Sequence, residues 1–221
     1  MRYKYVLFDL DGTLTDSAEG IIRSILYALE KHGVKADGAD LMQYIGPPLA
    51  DTFRAFDLPE EKLKDVIEVY RERYNRYLLI ENSVFDGIPE LLDGLLAAGC
   101  RLAVATSKPT VMADRVLEHF GLADRFTLIL GSELDGRRTD KGEVIAEVLH
   151  RLGDPAPDRV LMIGDRWSDV SGALRCGVDG AGAGWGYGSE EELFSAGAAA
   201  VFPTPADCLA ALTADGSGTT A

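Results

Sequence analysis

Three short apolar runs constrain this chain more than anything else in it: "YVLFD" ending at Asp9, "RLAVATS" ending at Thr106 and Ser107, and "RVLMIGD" ending at Asp165. Each is continuously hydrophobic rather than alternating, the pattern of a strand buried on both faces of a parallel sheet. Between and after them lie helical patterns: Ile88 to Leu96 closed by Gly99, Val111 to Phe120 closed by Gly121, and Val144 to Leu152 closed by Gly153. Strands alternating with helices predict an α/β fold, a doubly wound parallel sheet with helices on both faces. In such sheets the ligand crevice lies beyond the carboxyl ends of the strands, where all three polar endings fall.

Residues 17–84 break the alternation. One helical face carries Ile21, Ile22, Ile25, Leu26 and Leu29, with Asp16 as N-cap and Gly33 as stop, and a second helix runs from Lys62 to Leu79, entered through Pro59. Between them Gly46, Pro47 and Pro48 make a turn that no helix interior would accept. The expected organisation is therefore a core of residues 1–16 plus 85–213, an all-helical insertion over 17–84 placed to cover the crevice, and a flexible tail over 214–221. The run "GAGAGWGYG" over 180–188 does not satisfy G-x-G-x-x-G and reads as a flexible loop near the site, not a dinucleotide cradle.

Composition excludes several classes. With 36 acidic and 22 basic residues the net charge is -14, and without a Lys/Arg-rich run a nucleic-acid polymer is not an expected partner. There is no stretch of about 18 apolar residues, so no membrane span is expected. The three cysteines, Cys100, Cys176 and Cys208, fit no C-x-x-C pattern and read as reduced core thiols of a cytoplasmic protein, monomer or homodimer.

Asp9 and Asp11 are separated only by Leu10, and in a strand they point to the same side. Like charges so close raise each other's pKa unless something positive sits between them. With Gly12, Thr13 and Leu14 they form D-x-D-x-T followed by leucine. Thr106 ends a hydrophobic strand in "AVATSKP", Lys141 opens a helix in "TDKGEVI", and "GDRWSD" supplies Gly164, Asp165 and Asp169. In this order the four motifs resemble those of the haloacid dehalogenase superfamily, over about residues 4 to 212. Lys108 offers a second lysine, and the third motif lacks its common proline. Lys141 is preferred because "ELDGRRTDKGEVI" resembles the motif of one phosphatase subgroup.

The resemblance implies a Mg2+-dependent phosphomonoester hydrolase for a small phosphorylated metabolite, similar to phosphoglycolate phosphatases or 5'-nucleotidases. Asp9 would attack phosphorus to form an aspartyl-phosphate, and Asp11 would act as acid and then base. Mg2+ would lie between Asp9, the main-chain carbonyl of Asp11 and Asp165. Thr106, Ser107 and Lys141 would hold the phosphoryl oxygens, with Asp169, Gly164 and Thr13 in support. A phosphomutase like the β-phosphoglucomutases shares all four motifs, and a phospho-accepting signalling module shares the sheet, the acids, a threonine and a lysine. An acid at Asp11 argues against dehalogenases and phosphonatases.

Overall fold

The computed structural model describes residues 2–36, 41–46, 49–135 and 137–214. In chain order its elements are β1 (Tyr5–Phe8), β2 (Thr15–Asp16), α1 (Ala18–Lys31), α2 (Leu49–Arg54), α3 (Glu60–Tyr77), β3 (Ser83–Val84), α4 (Ile88–Ala97), β4 (Arg101–Pro109), α5 (Thr110–His119), β5 (Leu128–Ser132), α6 (Lys141–Arg151), β6 (Val160–Gly164), α7 (Trp167–Arg175), β7 (Asp179–Ala183), α8 (Glu190–Ser195), β8 (Val201–Phe202) and α9 (Pro205–Thr213). The chain divides into two compact units, Met1–Leu14 with Val84–Ala221, and Thr15–Ser83.

In the first unit six parallel strands lie in the order β5-β4-β1-β6-β7-β8, the doubly wound sheet that the apolar runs predict. Phe8 on β1 stands level with Val104 on one side and Ile163 on the other, so the strands end together. Val6, Leu7 and Phe8 have no exposed surface although they alternate between faces, which means helices cover both. On the side of Leu7 the core runs through Ala103, Ala105 and Met162 to Val144, Ile145 and Val148 on α6. The order steps away from β1 in both directions, and the crevice of such a sheet opens there.

Part of the glycine-rich run is a strand rather than a loop. Residues 179–183 form β7, paired with β6 through Gly180 to Ile163's neighbour Met162 and through Gly182 to Gly164. Its glycines carry no side chains because neighbours pack onto the backbone: a Cβ on Gly182 would stand 2.7 Å from Leu193 and 2.9 Å from Val201. The N-cap position of α1 is Ser17, whereas Asp16 accepts a hydrogen bond from the Ala18 N–H at 3.2 Å. Pro47, Pro48 and residues 215–221, which carry the expected turn and most of the expected tail, lie outside the described residues. Cys100 and Cys208 are buried, Cys176 is half-buried, and none is in a disulfide. No helix among the described residues is long and apolar enough to cross a membrane.

The second unit is helical. Ile25, Ala28 and Leu29 of α1, Phe53 of α2, and Val66, Tyr70 and Tyr74 of α3 are buried, with Phe53 edge-on to Tyr70 and Tyr70 stacked on Tyr74 at 5.5 Å. These tyrosines are packing residues, while Tyr77 is half-buried beneath the Arg73 guanidinium. Glu81 is 8% exposed and is held by Arg73 through two contacts of 2.8 Å and by Arg23 at 3.1 Å. The Arg73 bond, working against burial, lowers the Glu81 pKa. Removing one partner of a buried ion pair leaves a charge with poor compensation. Arg73→Met is therefore expected to destabilise the protein by up to about 3 kcal/mol, with Arg23 softening the loss, and adding Glu81→Gln should recover part of it. Urea unfolding of the single and double variants checks both expectations.

Candidate active site

The aligned strand ends bring together residues that are far apart in sequence. Asp9 follows β1, with its N–H bonded to the Ile163 carbonyl at 2.9 Å, and Asp165 follows β6. Lys141, first residue of α6, has a side chain only 4% exposed. Its ammonium lies 2.9 Å from Asp9, 2.8 Å from Asp169 and 3.2 Å from the Ala105 carbonyl. A cation in the first turn opposes the helix dipole. The carboxylates offset this, and the turn itself is capped by Asp140, which accepts from Glu143 N–H and is gripped by Arg175. The other Asp169 oxygen accepts the Arg166 N–H at 3.0 Å, tying Lys141 to the start of α7. Gly164 makes room for Asp169, since a Cβ there would stand 2.2 Å from its carboxyl carbon.

Asp165 is fully buried. One oxygen accepts from the Thr13 hydroxyl and the other from the Tyr187 N–H, each at 3.0 Å. Gly12 has a φ of +82°, and a Cβ on it would come within 2.3 Å of Asp165, so the first loop turns onto that carboxylate only because residue 12 is glycine. The Trp185 indole donates to the Thr13 carbonyl at 2.8 Å. Residues 184–188 are thus a clamp on Asp165 and the loop that carries Asp11. Sequence reasoning did not single out Trp185 or Tyr187, although the glycine at every second position was the signal of close approach.

Asp11 faces another partner. Its two carboxylate oxygens lie 2.6 and 2.5 Å from the Lys108 ammonium. The structure therefore uses both lysines, Lys141 beside Asp9 and Lys108 beside Asp11. Thr106 is buried and its hydroxyl accepts from the Lys108 N–H at 3.2 Å, while Ser107 is half-buried with its carbonyl taken by the Ser132 hydroxyl at 2.8 Å.

Asp9, Asp165 and Asp169 offer carboxylate oxygens all within 4.8 Å of one another. Burial first, then Lys141 pulling down and Asp169 pushing up, leaves the Asp9 pKa raised to about 6. Burial and the charges of Asp169 and Asp9 raise Asp165 well above the ordinary range. Burial opposes the charge of Lys141, but Asp169 and Asp9 outweigh it and the net shift is upward. Three acids against one ammonium leave an excess of negative charge, and their oxygens suit a hard divalent cation.

Fold and site together define an α/β enzyme whose centre is built of carboxylates and lysines at the end of its middle strands. The chain belongs to the haloacid dehalogenase-like hydrolases: the model of that family matches residues 6–183. The resemblance read from the four motifs is borne out. A relative from Pseudomonas aeruginosa named 5'-nucleotidase is 49% identical over 195 residues, covering 87% of this chain and 88% of that protein. A crystal structure of a predicted phosphatase from Clostridium acetobutylicum superposes with a TM-score of 0.90 at 42% identity, covering 96% of this chain and 99% of the other. A relative from Mycobacterium tuberculosis named tyrosine-protein kinase PtkA is 47% identical over 184 residues, which are 83% of this chain but 62% of that protein.

The acid pair makes stability depend on pH. Asp9 titrates at about 6 in the fold against an ordinary 3.8, so between those values the folded state holds a proton that the unfolded state has lost. A raised carboxyl pKa means that its contribution is most favourable on the acid side and falls as pH rises through the window, by roughly 3 kcal/mol at about 1.4 kcal/mol per unit. In chelator, Asp9→Asn should therefore gain stability on the wild type as pH rises from about 4 to about 7. Urea unfolding at a series of pH values measures the gap, and a constant gap would contradict the assignment.

Proposed function

We propose that this chain is a Mg2+-dependent phosphomonoesterase that works through an aspartyl-phosphate on Asp9. The observation that carries this reading is the buried pairing of Asp9 with Lys141, inside an acidic cluster with too little positive charge of its own. Asp9 and Asp165 are the side chains that would hold the ion, with the Asp11 carbonyl beside them. When bound, Mg2+ would neutralise the repulsion between an anionic phosphate and these carboxylates. Asp9 attacks phosphorus, and Asp11 protonates the departing oxygen and later takes a proton from water. Lys141, kept in place by Asp169, and the Thr106 and Ser107 segment hold phosphoryl oxygens. Asp169 acts by positioning, since both its oxygens are engaged by Lys141 and the start of α7.

The helical unit over Thr15–Ser83 is assigned the selection of substrate, because it is inserted directly after the loop that bears Asp11. The substrate is a small phosphorylated metabolite. The P. aeruginosa relative makes nucleoside monophosphates the first to assay, with phosphoglycolate next. A phosphomutase, the second reading, would pass the phosphoryl group from Asp9 to a sugar hydroxyl instead of water.

Phosphate release from a panel of small esters, with and without metal, tests the proposal. Chelation should remove activity and Mg2+ should restore it. Asp9→Asn should abolish turnover while the fold survives, because volume is kept and the nucleophile is lost. Full activity in chelator would remove the metal from the account, and substantial turnover by Asp9→Asn would remove the phosphoaspartate.

A further inference from the structure

We infer that Lys108 is a positioning residue for Asp11 in the second half of the reaction, holding its carboxylate where it takes a proton from the water that hydrolyses the phosphoenzyme. The inference rests on the phosphoaspartate reading above and adds to it a residue outside the four motifs' assigned positions. Three observations carry it. The Lys108 ammonium touches both oxygens of Asp11, and two-point contact fixes the rotation of the carboxylate as well as its place. The Lys108 side chain is 4% exposed against 19% for Asp11. A lysine normally keeps its ammonium in water, and burial is tolerated only against a good partner.

The third observation is that the backbone is bent to put it there. Ala105 of β4 pairs with Leu130 of β5, and Pro109 pairs with Ser132, so β4 advances four residues while β5 advances two. The surplus bulges at Thr106, Ser107 and Lys108. Ser132 holds the Ser107 carbonyl, and the Gly131 N–H donates to the Thr110 hydroxyl at 2.9 Å. A Cβ on Gly131 would stand 1.9 Å from the Lys108 carbonyl, so the bulge requires glycine opposite it. Bulges next to active sites re-aim side chains, and this one aims Lys108 at Asp11.

The step balances as follows. Water oxygen bonds to phosphorus while the bond from phosphorus to the Asp9 oxygen breaks, leaving its electron pair on the Asp9 carboxylate. The water proton passes to Asp11 and inorganic phosphate departs. Asp11 then holds the proton that the next leaving oxygen receives. Contact across both oxygens fixes the orientation of the Asp11 carboxylate toward the attacking water, and this places the effect of Lys108 in hydrolysis of the intermediate.

Pre-steady-state kinetics on 4-nitrophenyl phosphate with saturating Mg2+, together with mass spectrometry of acid-quenched enzyme, tests this in Lys108→Met, Lys108→Arg and Asp11→Asn. For Lys108→Met the expected result is a burst of nitrophenol close to one per enzyme, trapped phosphoenzyme, and a kcat lower by roughly 10- to 100-fold. Its kcat/KM, which reports formation of the intermediate with a good leaving group, should change far less, and Lys108→Arg should recover much of kcat. A raised KM with unchanged kcat would overturn the inference in favour of a substrate contact. Equal loss of kcat and kcat/KM without a burst would overturn it in favour of a structural role, and Lys108→Arg decides the matter in the same way if Lys108→Met does not fold. Asp11→Asn separates the two readings. If it traps phosphoenzyme and the Lys108 variants do not, Lys108 alone is misassigned; if it traps none, the phosphoaspartate reading fails.

Discussion

The ammonium of Lys141 between Asp9 and Asp169 is the contact on which the rest of the site depends. Fully buried carboxylates cost several kcal/mol each when left without compensation. Asp9, Asp165 and Asp169 stand within 4.8 Å of one another, and none of them reaches bulk water easily. Much of the surrounding backbone serves to keep this cluster assembled. Asp140 and Arg175 fix the turn that delivers Lys141, the Arg166 N–H fixes Asp169, and Thr13 with Tyr187 fixes Asp165. The residual negative charge makes the centre receptive to a divalent cation before any substrate is considered.

The two acids of the first loop are sorted by their lysines. Asp9 shares its ammonium with Asp169 and lies deep, whereas Asp11 has the Lys108 ammonium across both oxygens and lies nearer the surface. Two acids separated by a single residue are thereby given different environments. Both lie beyond the end of β1, and the partners from β4 and α6 make them different.

The sheet and the central acids were legible because their signals are local. A continuous apolar run ending in a polar residue needs no knowledge of the rest of the chain, and Asp9, Thr106 and Asp165 all follow such runs. β7 was hidden because its glycines erase hydrophobic periodicity: Gly182 lets Leu193 and Val201 reach the backbone, and Gly180 does the same for Val170. Lys108 was seen only as a rival for the role of Lys141. Its true partner is set by a register shift between β4 and β5, a long-range property that no window of sequence contains. Trp185 and Tyr187 act partly through an indole on a carbonyl and a main-chain N–H, and such contacts leave little trace in residue type.

The way the helical unit joins the first unit has its own consequence. The Phe85 N–H is bonded to the Leu14 carbonyl at 3.2 Å, so the chain leaves the sheet-bearing unit and re-enters it at neighbouring points, and β2 and β3 pair in between. An insertion whose two ends are already adjacent imposes almost no closure cost on its host. Its length and content are free to vary without disturbing the register of β1, β4 and β6. The arrangement is a socket: the inserted segment can differ in length and content while the sheet-bearing unit, with its carboxylates and lysines, stays as it is.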